Sequence, residues 1–101
     1  MNKEYLDLRG YIEEVLDVCD GMHWKKDWSH GGCYAHLELS EFIEALRGKG
    51  DPVDELGDVL FTIFAVAGYY NIDPVKAVAA SRRKMQEQLR MKAMREEKDA
   101  K

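Results

Sequence analysis

The sequence predicts an all-α fold, and three observations support this prediction. Strand signals are sparse along the chain, whereas the residues that begin and end helices are clear. Two Asp-Pro pairs, Asp51-Pro52 and Asp73-Pro74, are typical helix starts, because the aspartate accepts backbone N–H bonds and the proline lacks only an N–H that would be unpaired there. Glycines end the first two predicted helices, Gly21 the first and Gly48 with Gly50 the second. We therefore expect four helices in a single domain, 1–101.

The four predicted helices are separated by short loops, and in chain order they are Lys3–Cys19, Cys33–Arg47, Pro52–Tyr70 and Pro74 onward. Gly21 follows the first helix, and residues 23–32 form a polar loop that carries two tryptophans. Gly48 and Gly50 end the second helix. The last residues, 95–101, are strongly charged, and we expect them to fray.

Composition and charge exclude several classes of protein. With 101 residues the chain builds only a modest core, so we expect it to self-associate. Charged residues make up 34% and hydrophobic residues 46%, which argues against a disordered chain. The net charge of -4 would repel phosphate backbones, so we expect no nucleic-acid partner.

The sequence also argues against export and membrane insertion. Residues 1–9 are charged and no signal-peptide pattern follows them. The longest apolar run, Val59–Tyr70, is shorter than the roughly 20 residues that span a bilayer. Cys19 and Cys33 are then expected to be free thiols. We therefore predict a cytoplasmic protein with no membrane partner.

Two pairs of acidic residues lie inside otherwise apolar helical segments. Glu38 and Glu41 are three residues apart on the second predicted helix, and Glu55 and Asp58 are three apart on the third. This spacing places both members of a pair on one helical face, and four converging carboxylates would repel one another unless cations lay between them. Oxygen ligands favour Mg²⁺, for which Mn²⁺ can substitute. The alternative is that these residues are surface charges or members of ion pairs.

The positions of the polar residues around the axis of the second helix favour the metal site over that alternative. Its polar residues share one arc that we expect to face solvent, namely His36, Ser40, Glu44 and Arg47. Glu38 and Glu41 lie off this arc, beside Leu37 and Phe42, where packing alone would favour apolar side chains. The third helix is apolar almost all round beyond Asp58, so we expect it to be the most buried helix.

These pairs and the segments around them resemble the MazG-like all-α nucleoside triphosphate pyrophosphohydrolases. The similar segments are His36–Leu46, Asp54–Leu60 and Asn71–Pro74. Many relatives carry another glutamate just before the first pair, whereas this chain has Leu37, a pattern more similar to the dCTP-pyrophosphatase-like branch. The resemblance implies a four-helix bundle completed by a second subunit, as a homodimer or a homotetramer.

The resemblance also implies an activity, the Mg²⁺-dependent hydrolysis of a nucleoside triphosphate between its α and β phosphates. The products are a monophosphate and pyrophosphate, and the reaction would sanitise or regulate the nucleotide pool. Glu38, Glu41, Glu55 and Asp58 would be the metal ligands, and either Glu38 or Glu41 would also orient the attacking water. Two alternatives remain: a phosphoribosyl-ATP pyrophosphohydrolase, and a helical association module without activity.

Further residues are candidates for substrate binding. By the resemblance, Lys84 and Arg83 on the fourth helix would meet the phosphates, and Gln88 stands where relatives often carry an asparagine. Trp24 and Trp28 precede the first acidic pair, where relatives hold the base, and a tryptophan is a suitable stacking platform. The alternatives are a solvated basic face for the fourth helix and ordinary packing for the tryptophans.

Overall fold

The computed structural model describes residues 7–100 and consists of four α-helices. Their bounds are α1 Leu8–Gly21, α2 Trp28–Leu46, α3 Pro52–Tyr69 and α4 Pro74–Asp99. No strand occurs within the described range. The predicted all-α fold is therefore confirmed for these residues.

Each helix begins at an aspartate whose side chain accepts a hydrogen bond from a backbone N–H of the first turn. These capping residues are Asp7, Asp27, Asp51 and Asp73. Such a cap stabilises a helix by about 0.5–2 kcal/mol relative to alanine. The two Asp-Pro starts are confirmed, with Pro52 and Pro74 in the first turns of α3 and α4.

The predicted loop over residues 23–32 is wrong in its second half, because α2 already begins at Trp28. Asp27 accepts a hydrogen bond of 2.6 Å from the backbone N–H of His30 and so starts the helix early. Gly31 is buried, and a Cβ at this position would overlap with Cγ2 of Val66 on α3. The glycine therefore allows close packing of two helices and does not mark a loop.

The outer ends of the predicted helices meet the limits of the described residues. Helix α1 begins at Leu8, and residues 3–6 of its predicted span lie outside the described range. Helix α4 is continuous as far as Asp99, and residue 101 also lies outside that range. The expected fraying of the C-terminal residues stays a prediction.

The core is formed where α1 and α2 both pack against α3. Val15 and Cys19 of α1 are almost completely buried against Ala65 of α3. Around them lies a ring of aromatic side chains, in which the ring of Tyr11 meets the edge of Phe64 with centroids 5.3 Å apart. This packing fixes the position of α3 between the two other helices.

Helix α3 is only partly the buried element that the sequence predicts. It contributes three buried residues, Val59, Thr62 and Ala65, more than any other helix. On another of its faces, however, Leu60 and Ile63 remain 42% and 50% exposed. A single protomer therefore leaves an apolar side of its central helix uncovered.

Helix α4 contacts the other helices only near its N-terminal end. Pro74 is buried, and the guanidinium of Arg9 on α1 donates hydrogen bonds of 2.8–3.2 Å to the carboxylate of Asp73. Every residue from Ser81 to Ala100 is exposed. The radius of gyration is 18.0 Å, against about 13 Å for a compact chain of 100 residues. Residues 82–99, called the α4 arm below, therefore project from the rest of the molecule.

Two smaller predictions can be compared with the structure. Cys19 and Cys33 are free thiols, as the sequence predicts, the first buried and the second exposed. Within residues 7–100, none of the helices is both long enough and apolar enough to cross a bilayer.

Candidate metal centre

The packing of α2 against α3 brings the two acidic pairs together. Glu38 of α2 and Glu55 and Asp58 of α3 each offer a carboxylate oxygen, and these three oxygens lie within 4.8 Å of one another. The spacing of three residues within each pair puts both members on one helical face, and the two faces meet at this helix contact. We call these three residues the acidic triad.

Glu41, the fourth predicted ligand, lies beside the acidic triad. Burial raises the pKa of Glu38, and the negative charges of Glu41 and Asp58 raise it further. Burial likewise raises the pKa of Glu55, with Glu41 again the largest charge contribution. All four predicted carboxylates are therefore close enough to repel one another, with Glu41 at the margin of the group.

No basic side chain within residues 7–100 forms an ion pair with any of the four carboxylates. Arg47 and Lys49, the basic residues that end α2 and begin the next loop, both pair instead with Glu44, at 3.0 and 3.7 Å. The group therefore carries uncompensated negative charge.

Two oxygens of the acidic triad also lack hydrogen-bond donors. Oε2 of Glu38 and Oε2 of Glu55 are buried and have no hydrogen-bond partner in the described part of the chain. A buried carboxylate oxygen without a partner is unfavourable, and a divalent cation among these oxygens would satisfy both. Because all the donors are hard oxygens, the residues fit Mg²⁺ or Mn²⁺ and not a metal that prefers sulfur or imidazole ligands.

The acidic triad lies beside a cavity with aromatic walls. This cavity, of about 390 Å³, is lined by Trp24, Tyr34, Glu38, Asp58, Phe61 and Thr62. Trp24 stacks on Tyr34 with ring centroids 5.9 Å apart and planes at 14°, and its ring meets Phe61 nearly at right angles. We call it the aromatic pocket. It places flat apolar surface next to a carboxylate group.

Two walls of the aromatic pocket were missed by the sequence analysis. Tyr34 lies four residues before Glu38 on α2, and Phe61 lies three residues after Asp58 on α3. Side chains at these spacings share a helical face with the carboxylates. This spacing, applied to the aromatic residues of each helix, would have identified both.

Of the other predicted site residues, the structure brings only Trp24 to the acidic triad. Trp28 is 71% exposed and lines a different cavity, while its backbone N–H donates to the hydroxyl of Tyr70 at 2.8 Å. The phosphate-binding candidates lie on the exposed α4 arm and line neither cavity, namely Arg83, Lys84 and Gln88. Their predicted roles in substrate binding stay predictions.

Comparison of the chain with known protein families, with curated proteins and with solved structures found no match.

Proposed function

We propose that this protein is a Mg²⁺-dependent nucleoside triphosphate pyrophosphohydrolase of the MazG-like type, cleaving ribo- or deoxyribonucleotides between the α and β phosphates. The observation that carries the proposal is the acidic triad, whose oxygens converge within 4.8 Å without any ion-pair partner among the described residues. The aromatic pocket beside it offers a surface for a nucleobase. The resemblance of the two acidic motifs to the family supports the same assignment.

The role of the carboxylates follows from charge. A triphosphate cannot approach four negative side chains directly. A Mg²⁺ ion held by Glu38, Glu55 and Asp58 would supply the positive charge that binds phosphate oxygens and stabilises charge developing on them. Glu41 lies next to these ligands but outside the tight group, which leaves its oxygens available to orient the attacking water and accept its proton.

The aromatic pocket accounts for the other half of the substrate. The rings of Trp24 and Tyr34 stack on each other and both line the aromatic pocket. A base in the pocket would stack on this pair of rings, and the ring of Phe61 would form an adjacent wall. Stacking of a base on an aromatic side chain is worth about 1–3 kcal/mol in single-strand binders. In this proposal the aromatic pocket binds the base, and the cation held by the carboxylates binds the phosphates.

The direct test measures pyrophosphate release from ribo- and deoxyribonucleoside triphosphates and from phosphoribosyl-ATP, each with Mg²⁺. We expect release from at least one of them, and a rate lower by about 10²-fold or more for Glu41→Gln and Asp58→Asn. Glu44→Gln is the matched control, because Glu44 lies on the same helix but pairs with Arg47 and Lys49. It should keep nearly the full rate.

Each contrary outcome has a distinct meaning. If the wild type releases no pyrophosphate from any of these nucleotides at micromolar enzyme, the proposed hydrolase is wrong. If it then still binds Mg²⁺, the protein is a helical association module with a structural ion. If phosphoribosyl-ATP is the only substrate, the phosphoribosyl-ATP pyrophosphohydrolase is the correct assignment.

We also propose that the enzyme acts in the cytoplasm as a homodimer or homotetramer. The extended shape and the exposed apolar side of α3 support self-association. The exposed thiol of Cys33 suits a reducing compartment, where it stays free.

A further inference from the structure

A long apolar surface lies between α2, α3 and the first turns of α4. It consists of two adjoining cavities of about 440 and 260 Å³ that share Gly32, Ala35 and Ile63. Several large side chains along it are half or more exposed, among them Trp28 at 71% and Val78 at 57%. We call this surface the apolar groove. Exposed apolar surface of this kind is typical of sites that bind a protein, a membrane or an apolar ligand.

The α4 arm carries an apolar stripe that begins in the apolar groove. At about 100° per residue, Val78, Met85 and Leu89 lie within about 40° of one another on the helix surface. Val78 also lines the groove, so the stripe and the groove form one continuous surface. Met85 and Leu89 are 61% and 69% exposed in the protomer.

The α4 arm and the rest of the described chain carry opposite net charges. The α4 arm, 82–99, carries seven basic and four acidic side chains, a net charge of +3. Residues 7–81 carry six basic and fourteen acidic side chains, a net charge of -8. The arm extends away from this acidic body in its own protomer. It is therefore complementary in charge to the body of another copy.

We propose that two copies pair about a two-fold axis with their α4 arms antiparallel, each arm covering the apolar groove of the other copy. The occupant of the groove is thus a second copy of this chain. The Val78, Met85 and Leu89 stripes contact each other across the axis, and the basic arm of each copy lies against the acidic body of its partner. This inference specifies the surface used by the homo-oligomer proposed above and does not depend on catalysis.

A two-fold arrangement follows from the continuity of stripe and groove. Because both lie on one surface, the same patch of each copy can meet itself, and the assembly closes. The arm is 18 residues long and reaches about 27 Å at 1.5 Å per residue, enough to extend beyond the crossing point over the facing groove. An arm of this length also gains from packing, because a helix that projects into water is stabilised mainly by contacts on its apolar face.

The test uses variants on opposite sides of the α4 arm, measured by sedimentation equilibrium. Met85→Glu and Leu89→Glu place a charge on the stripe, whereas Met91→Glu and Met94→Glu place the same charge on the other side of the helix. All four positions are exposed in the protomer, so each variant should keep its fold, which circular dichroism checks.

We expect the wild type to sediment with at least twice the 11.6 kDa mass of the chain. Leu89→Glu and Met85→Glu should each raise the dissociation constant by about 100-fold or more, and Met91→Glu and Met94→Glu by less than about threefold. A wild type that is monomeric at 100 μM would overturn both the homo-oligomer and the arm pairing. An oligomer that Met85→Glu and Leu89→Glu leave intact would overturn the arm pairing alone.

Equal disruption by these two variants and by Met91→Glu and Met94→Glu would overturn the claim that the Val78, Met85 and Leu89 side of the helix forms the contact. Loss of hydrolytic activity changes none of these readings.

Discussion

At the scale of single residues, the repulsion within the acidic triad lowers the free energy of unfolding of the chain when no metal ion is bound. Burial and the neighbouring carboxylates raise the pKa of Glu38 and of Glu55. A raised pKa means that the folded state disfavours the charged form of these side chains. Mutual repulsion of these carboxylates opposes folding when no cation is bound, and a cation bound among them would relieve it, which supports the proposed metal site.

Replacement of Glu38 by glutamine should raise the melting temperature of the protein when EDTA keeps it free of metal ions. Because the pKa of Glu38 is raised in the folded protein, its contribution to stability is present below the unfolded value of 4.5 and is lost as the pH rises from there through the higher folded value. Glutamine removes this repulsion, so we expect the variant to melt a few degrees higher than the wild type at pH 7.5. The difference should disappear near pH 4. A lower melting temperature for the variant at pH 7.5 would contradict the repulsion.

Asp73 gives the opposite dependence on pH. The hydrogen bonds from Arg9 hold the pKa of Asp73 below its usual value. A lowered pKa contributes stability above the unfolded value of about 3.8, and this contribution is lost as the pH falls through the folded value. We expect wild-type stability to fall more steeply than that of Asp73→Asn between about pH 5 and pH 3, measured by urea unfolding.

Asp51→Asn is the control for this experiment. Asp51 caps α3 by the same kind of hydrogen bond as Asp73 caps α4, and it forms no ion pair within residues 7–100. Asparagine is a good capping residue, so both variants keep their caps. If Asp51→Asn flattens the acid transition as much as Asp73→Asn does, the effect belongs to capping and not to the Arg9 pair.

At the scale of helices, local signals predicted the starts of α3 and α4 but not that of α2. Asp51-Pro52 and Asp73-Pro74 determine their helix starts locally, because each aspartate side chain accepts a backbone N–H of the first turn and each proline occupies that turn. Gly31 gave a misleading loop signal, because its role depends on the approach of Val66 from α3, which is far away in sequence. The local cap at Asp27 does indicate this start, but the glycines after it outweighed that signal in the prediction.

In the candidate site too, the features that depend on neighbouring residues could be predicted from the sequence, and those that depend on tertiary packing could not. The acidic pairs could be predicted because their spacing and their apolar neighbours are local features. The pocket residues Tyr34 and Phe61 follow from the same helical spacing once the carboxylates are chosen. The position of Lys84 could not be predicted, because it depends on the direction in which α4 leaves the body, which the Arg9–Asp73 contact and the packing of Pro74 determine.

Helix α3 provides a prediction about close packing, tested with two glycines. A Cβ at Gly68 would lie 2.8–3.0 Å from three carbon atoms of the Leu16 side chain on α1. We expect Gly68→Ala to lower the free energy of unfolding by about 1–3 kcal/mol, because Leu16 must shift as a whole. At Gly57 no atom lies within 4 Å of an added Cβ, so Gly57→Ala should raise it by up to about 1 kcal/mol through helix propensity.

Denaturant unfolding of both variants measures these changes. The two glycines lie on one helix, so a general effect of alanine on α3 would move both variants in the same direction. An increase in stability for Gly68→Ala would mean that α1 and α3 are less closely packed than the structure indicates.

At the scale of the whole molecule, one protomer is extended and leaves apolar surface exposed. Its principal extents are 61 × 41 × 34 Å, and every residue of the α4 arm is exposed. The core of α1, α2 and α3 leaves Ile63, Val78 and Trp28 in an uncovered groove. A chain of about 100 residues buries roughly two-thirds of the surface that its unfolded form exposes, so its own core is modest, and this size, the extended shape and the charge distribution all support the proposed pairing with a second copy.

The candidate metal centre and the apolar groove are lined by different residues. The aromatic pocket and the two cavities of the groove share none of them. Activity and assembly can for this reason be tested with separate variants, Asp58→Asn for the first and Leu89→Glu for the second.

The central claim is that the acidic triad binds a divalent cation, and titration with Mn²⁺ followed by electron paramagnetic resonance tests it most directly. We predict that the wild type and Glu44→Gln remove the free Mn²⁺ signal with the same stoichiometry of one or more ions per chain. Asp58→Asn and Glu55→Gln should weaken binding by about tenfold or more. Equal Mn²⁺ binding by the wild type and both triad variants, or none by the wild type at millimolar concentration, would contradict the account.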